Sequence, residues 1–208
     1  MCGILGFASQ NVIEDREKLL LSSKLLHHRG PDDSGEWLSD DGCVGLGHRR
    51  LSIVDITANG HQPMSSINGD LKIVFNGEIY NYIELSKILS DKGYQFHSKT
   101  DTEVILAAYL EWGEECTTFL NGMFAFAIYD SIKKIVFISR DRAGEKPIYY
   151  QFSNSILRFA SELKGLVDDN SLERKINKES LDCFLSMGFV PGERCILIGQ
   201  DLLKSSDK

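Results

Sequence analysis

The chain has 208 residues, 42% of them apolar and 25% charged, with a formal charge of -7 at pH 7. That length suffices for one sizeable domain with a hydrophobic core, and the composition excludes a disordered chain. Acidic and basic side chains are interspersed, so there is no basic stripe to neutralise phosphates, and nucleic acid is excluded as a partner class.

No apolar run reaches the ~20 residues that span a bilayer, and the first residues lack the layout of a secretory signal. A cytoplasmic protein without membrane contact is expected. The five cysteines (Cys2, Cys43, Cys116, Cys183, Cys195) are odd in number and show no CxxC spacing, which predicts neither a disulfide framework nor a metal site.

CGILGFA, starting at Cys2, reads as a buried strand, and DREKLLLSSKLLHH after it carries leucines at helical spacing behind acidic starting residues. HHRGPDDSG is a loop marked by Gly and Pro, with His27 and His28 at a helix end. CVGLGH, RRLSIVD and LKIVFN are short β-rich runs punctuated by Gly, Asp, Asn and Pro, as in antiparallel sheets. YIELSKILSDKG and DTEVILAAYLEWG predict helices, each ending at a glycine, Gly93 and Gly113, suited to a positive φ.

GMFAFAIYD and KIVFISRD are nearly continuous apolar runs around a turn at Ser131 to Lys133, as expected of strands buried on both faces. PIYYQFS and SILRFASE predict a hairpin around Asn154, and ELKGL and KESLDCFLSMG predict short helices. Ile198 to Lys208 carry little pattern and read as a frayed end or linker. Strands arriving mostly as hairpins, with helices inserted in blocks, predict an α+β sandwich of two mostly antiparallel sheets flanked by helices.

Four stretches could carry chemistry. Removal of Met1 would give Cys2 a free α-amine on the same residue as its thiol. With reference pKa values of about 8.5 and about 7.7 to 8.0, proton transfer from thiol to amine is uphill by only roughly 1 kcal/mol. This is a nucleophile that brings its own base; the alternative is a small core residue. In FNGEIYN, Asn76 could offer a side-chain amide and Gly77 a backbone N–H to a developing oxyanion, each worth on the order of 3 kcal/mol; the alternative is an Asn-Gly hairpin turn. RRLSIVD and KTDTE offer an arginine for a carboxylate and an acid for an ammonium, or two solvated surface charges.

Together these stretches resemble the glutamine amidotransferase domain of the N-terminal-nucleophile hydrolases, and most closely the N-terminal half of glutamine-hydrolysing asparagine synthetases. MCGILGF, HHRGPDDSG, GHRRLSIVD, GHQPM, FNGEIYNY, TDTEVILAAY, LNGMFAFAIYD, RDRAGEKPIYY and FASELKGL occur in that family's order. The resemblance implies a four-layer αββα fold over residues 1–192, with 193–208 a tail toward a synthetase domain that lies outside this sequence.

It also implies that Cys2 attacks the side-chain amide of L-glutamine, with Asn76 and Gly77 as the oxyanion hole. Arg50 would hold the substrate carboxylate, with Arg49 the second choice, and Glu78 and Asp101 would face the ammonium. The backbone around Ile53 and Val54 would line the pocket. The RGPD loop resembles a segment near the site mouth without a catalytic role.

No cofactor or metal is implied for this domain. ATP and Mg would belong to a synthetase domain, in cis or in trans, whose SGGxDS loop does not occur here. RDRAGEKPIYY, RGPDD and GHQPM are most similar to asparagine synthetase homologues of bacterial surface-polysaccharide pathways. Three matters stay open on sequence: glucosamine-6-phosphate synthase or phosphoribosylpyrophosphate amidotransferase as the parent enzyme, a non-catalytic glutamine-binding or docking module, and assembly as a homo-oligomer. Met1 is expected to be removed in cells, because a small residue follows it.

Overall fold

The computed structural model describes residues 1–13, 16–53, 57–166 and 175–204. The first strand, β1 (Gly3–Ser9), shows the pattern that organises the molecule: Ile4 points to one face, Leu5 and Phe7 to the other, and all three are buried. A strand buried on both faces must be covered by two layers.

Helix α1 (Arg16–Leu25) provides the outer cover, with Leu19 and the following Leu26 packed on Leu5 and Phe7. β2 (Asp33–Leu38) and β3 (Val44–Arg50) then extend the first sheet. β4 (Met64–Ser65) and β5 (Leu71–Ile79) begin a second sheet. Helices α2 (Tyr82–Asp91) and α3 (Asp101–Trp112) follow, and Gly93 and Gly113 beyond them both take a positive φ.

β6 (Gly122–Asp130) and β7 (Ile135–Arg140) complete the second sheet. β8 (Tyr149–Ser153) and β9 (Ile156–Ala160) return to the first as a hairpin whose turn residues Asn154 and Ser155 both have positive φ, the backbone of a tight twisted hairpin. α4 (Lys178–Met187) and a short edge strand β10 (Asp201–Leu202) end the described chain.

The strand orders are β10-β8-β9-β1-β3-β2 and β4-β5-β6-β7, with every pairing antiparallel. The sheets pack face to face. Ile4, Val44 and Leu46 from one meet Val74, Ala125, Ala127 and Tyr129 from the other, while Ile73, Phe75, Phe124, Phe126 and Ile128 on the opposite face carry α2 and α3. Helix, sheet, sheet and helix thus form the four layers that the pattern and the resemblance both imply.

Three sequence expectations change. DSG, read as part of a loop, opens β2, because Trp37 packs against the seam and rings Tyr129 at 5.6 Å. RRLSIVD is not a separate strand: its two arginines finish β3, and Leu51 to Ile53 have no regular structure. The segment from Ile198, expected to fray, supplies β10; Gln200 is buried, and the Leu203 N–H bonds the Ile148 carbonyl at 2.8 Å. An edge strand of two residues is too short to leave a periodic signature.

Phe126, in the middle of β6 with no exposed surface, is ringed by Phe124 and Phe137. Phe126→Ala is expected to cost about 3 to 5 kcal/mol, read as a lowered urea midpoint with an unchanged slope.

Candidate active site

Strand alternation carries three polar side chains to one end of the seam. Cys2 shares parity with inward-facing Ile4, Arg50 with Leu46, and Asn76 with Val74. Gly3 pairs with Arg49 in antiparallel register, which sets Cys2 beside Arg50. The second sheet brings Asn76 against them. Cys2, Arg50, Asn76, Gly77, Glu78 and Asp101 all line one cleft of about 130 Å³.

The Cys2 Sγ lies 3.4 Å from the Leu51 N–H, which it accepts, and 3.7 Å from the Leu51 carbonyl. Burial pushes the thiol pKa up, against the Leu51 N–H, the Met1 ammonium and the Arg50 charge, which pull it down; Asp101 adds to the rise. Arg29 fixes the residue from behind, its Nε donating to the Cys2 carbonyl at 2.9 Å while Nη1 pairs with Glu162 at 2.8 Å. Burial alone would raise the Glu162 carboxyl, yet hydrogen bonds from Arg29, His28 and Lys164 hold it at about 2. The RGPD loop therefore touches the Cys2 backbone, a contact that the sequence did not signal.

Asn76 is 1% exposed, and its Nδ2 has no hydrogen-bond partner among the described residues. A buried amide donor left unpaired costs about 1 to 3 kcal/mol. Gly77 stands next to it. Phe124, opposite Gly77, turns its own N–H and carbonyl toward Asp141 on the β7 side, so the pair is a non-hydrogen-bonded one and the Gly77 N–H points off the opposite edge.

The neighbours on that edge are both taken. Phe75 N–H donates to Gln62 Oε1 at 2.7 Å and Ile79 N–H to Asp101 Oδ2 at 3.0 Å. No side chain among the described residues bonds the Gly77 N–H between them, which faces the cleft. A Cβ at Gly77 would strike the Met123 carbonyl, so no other residue fits that edge.

Arg50 is buried and donates from Nη1 to the Thr57 carbonyl at 2.9 Å. Its guanidinium occupies the space where a Cβ of Gly60 would stand, so Gly60 admits it. Arg49 alternates outward and donates to Ser23 at 3.1 Å, which removes it from the cleft.

Asp101 opens α3, whose start is capped by Thr100 Oγ1 accepting from the Glu103 N–H at 3.3 Å. Burial raises the Asp101 carboxyl to about 6, against the N–H groups of Ile79 and Thr102, with Glu78 adding to the rise. Glu78 is exposed at the mouth. Ile53 lines the cleft from an exposed position, and Val54 lies outside the described residues.

Three contributors went unrecognised in the sequence. Gln62 bridges the strand before Asn76 to the helix bearing Asp101, donating from Nε2 to Thr102 Oγ1 at 3.3 Å. His48 ties the two sheets beneath the cleft: its Nε2–H donates to the Phe75 carbonyl at 3.1 Å, and burial lowers its pKa to about 4, so it is neutral. Lys146, 7% exposed, lines the cleft beside Met1. GHQPM, GHRR and GEKP named these residues only as parts of family blocks, because a buried polar bridge has no periodic signal.

The chain is similar to known proteins in sequence and in fold. A family described as glutamine amidotransferase domain matches residues 1–206. The chain is 44% identical over 196 residues to asparagine synthetase [glutamine-hydrolyzing] 1 of Bacillus subtilis (strain 168), covering 92% of this chain and 30% of that protein. It is 45% identical over 170 residues to asparagine synthetase B [glutamine-hydrolyzing] of Escherichia coli (strain K12), covering 80% and 30%. A putative asparagine synthetase 2 of Methanocaldococcus jannaschii is 38% identical, covering 92% and 40%. The chain thus spans 30 to 40% of the length of these relatives.

Among solved structures, glutamine phosphoribosylpyrophosphate amidotransferase from B. subtilis, complexed with ADP and GMP, superposes with a TM-score of 0.66 at 21% identity, covering 79% of this chain and 43% of that one. That likeness is one of fold. No helix among the described residues is long and apolar enough to cross a membrane.

Asp101 carries a pH dependence. Its folded value of about 6 lies above the ordinary 3.8, so as pH rises from about 4 to about 6 the unfolded chain gives up this proton first and the folded state loses stability. The loss from this group is about 2 to 3 kcal/mol, complete by neutral pH. Asp101→Asn, which keeps an acceptor for the Ile79 N–H, is expected to remove that part of the slope in urea midpoints measured across the window.

Proposed function

We propose, from the premise that the chain belongs to the glutamine amidotransferase domain family, that its cleft hydrolyses the side-chain amide of L-glutamine to glutamate and ammonia through a thioester on Cys2. The observation that carries this reading is the unpaired Asn76 Nδ2, held in a buried position at the cleft that also holds the Cys2 thiol. Buried donors without partners are rare, and here one sits where an oxyanion would form.

The steps follow from the residues. Once Met1 is removed, the Cys2 α-amine takes the thiol proton. The thiolate bonds to the amide carbon, and the carbonyl electrons move onto oxygen, where Asn76 Nδ2 and the Gly77 N–H receive them. The ammonium proton passes to the amide nitrogen, the C–N bond breaks and ammonia leaves. Water then adds to the thioester with the amine as base, the oxyanion forms again in the same hole, and the C–S bond breaks to release glutamate.

Substrate orientation comes from charge. Arg50, fixed against Gly60 and the Thr57 carbonyl, binds the α-carboxylate, and Asp101 with Glu78 takes the α-ammonium. Ionised Asp101 is needed for that second contact, so glutamine affinity falls as pH drops below about 6. Ile53 lines the pocket from an exposed position. The domain's own chemistry calls on no cofactor.

The named relatives support a parent enzyme of the asparagine synthetase kind, in which a synthetase portion with ATP and Mg, in the same chain or another, consumes the ammonia. On that reading residues 1–192 are the glutaminase domain and the segment after them leads toward the synthetase portion. The setting is cytoplasmic.

Glutamate release from L-glutamine by the Met1-free chain tests the reading. Asn76→Ala is expected to lower kcat about 100- to 1,000-fold with little change in KM, because its contact forms only with the oxyanion. Cys2→Ala is expected to abolish release. A chain that binds glutamine yet releases no glutamate would instead be a binding module.

A further inference from the structure

Removal of Met1 makes Cys2 the end of the chain, and a chain end frays unless something ties it down. Among the described residues the Cys2 carbonyl accepts one hydrogen bond, from Arg29 Nε at 2.9 Å. The Arg29 side chain is 8% exposed; its Nη1 pairs with Glu162 Oε1 at 2.8 Å, and its Nη2 is buried without a partner. Among the described residues the guanidinium is therefore held at two points, Cys2 and Glu162.

Glu162 stands on a fixed mount. The residue before it, Ser161, is fully buried and clips β1 twice: its N–H donates to the Ile4 carbonyl at 2.8 Å, and its Oγ accepts from the Ile4 N–H at 3.0 Å. His28 Nε2 at 2.9 Å and Lys164 Nζ at 3.2 Å meet the same carboxylate, which stays ionised through the neutral range. A closed circuit of contacts results, running from the Cys2 carbonyl through Arg29, Glu162, Ser161 and Ile4, and back along the chain through Gly3. A partly exposed ion pair adds little to stability. The consequence of this one lies in what Arg29 holds.

We propose that Glu162 is a positioning residue for the nucleophile: by anchoring the Arg29 guanidinium it fixes the Cys2 carbonyl, and with it the peptide plane from which the thiol and the amine hang. In that position Sγ meets the Leu51 N–H at 3.4 Å and shares the cleft with Asn76. Without the carboxylate the guanidinium keeps its charge and loses its anchor, so the Cys2 peptide plane is free to turn. A displacement of about 1 Å between reacting groups lowers a rate on the order of 100-fold. The inference rests on Cys2 as the nucleophile of the proposed reading, yet it concerns how that residue is held before glutamine arrives.

The test uses protein freed of Met1 by methionine aminopeptidase and has one readout without glutamine and one with it. In protein labelled with [3-13C]cysteine, the Cys2 Cβ signal, assigned by its absence from Cys2→Ala, is expected to be single and sharp. Glu162→Gln, which keeps the shape and removes the charge, is expected to broaden or split it. Arg29→Gln removes the same tether from its other end, so the test does not depend on one variant folding. Either substitution is expected to lower kcat for glutamate release about 10- to 100-fold with little change in KM, because Arg50 and Asp101 are untouched. The double variant is expected to lose no more than either single one, since both cut one tether. A Glu162→Gln protein with an unaltered Cβ signal and kcat overturns the proposal, as do losses that multiply in the double variant. A Cys2 signal that depends on Glu162 in a chain that releases no glutamate overturns the glutaminase reading and leaves the tether standing.

Discussion

The two sheets must share a dry seam, and every other feature of the molecule follows from that. Ala125, Ala127, Val74, Ile4 and Leu46 fill it with small and aliphatic side chains, so the sheets approach closely and polar groups are tolerated only where the seam opens. At that opening the same alternation that buries Ile4 and Val74 carries Cys2 and Asn76 inward. The geometry of the cleft is therefore a property of strand register. Moving β1 or β5 by one residue would turn these side chains to the opposite face of their sheets, against the helices.

Neighbouring side chains take several of the backbone donors at the opening. Gln62 takes the Phe75 N–H, Asp101 takes the Ile79 N–H, and Asp141 bonds the Phe124 N–H, which leaves the Gly77 N–H and the Asn76 amide facing the cleft. His48 adds a tie between the sheets, kept neutral by its burial, so the cleft's charges come from Arg50, Asp101, Glu78 and Lys146. On the proposed reading this incompleteness serves glutamine hydrolysis, because donors already satisfied by the protein could not stabilise charge that appears only during reaction.

The apolar layers were legible in the sequence because their periods are simple. GMFAFAIYD and KIVFISR announce central strands, and DTEVILAAYLEW announces a buried helix. β2 was missed because the RGPDDSG punctuation masks its start, and β10 because two residues carry no pattern. Within the site, Cys2, Asn76 and Gly77 could be named from residue type and position, and Arg50, Glu78 and Asp101 from the family resemblance, and the fold gathers all six in one cleft. Arg49 and Arg50 could not be told apart by chemistry; alternation separates them, turning one toward Ser23 and the other toward the cleft. Arg29, Gln62 and Lys146 act through contacts more than 25 residues away in the chain, to Cys2, Thr102 and Met1, and no local spacing reports those.

The central claim is that this cleft presents a competent nucleophile to glutamine, and one spectrum addresses it. The intact mass after incubation with 6-diazo-5-oxo-norleucine reports both the loss of Met1 and covalent capture at Cys2. A single adduct on Met1-free protein, absent from Cys2→Ala, is the result the account predicts. Met1-free protein that stays unmodified would contradict it, leaving a cleft with the parts of a glutaminase and no reactive thiol.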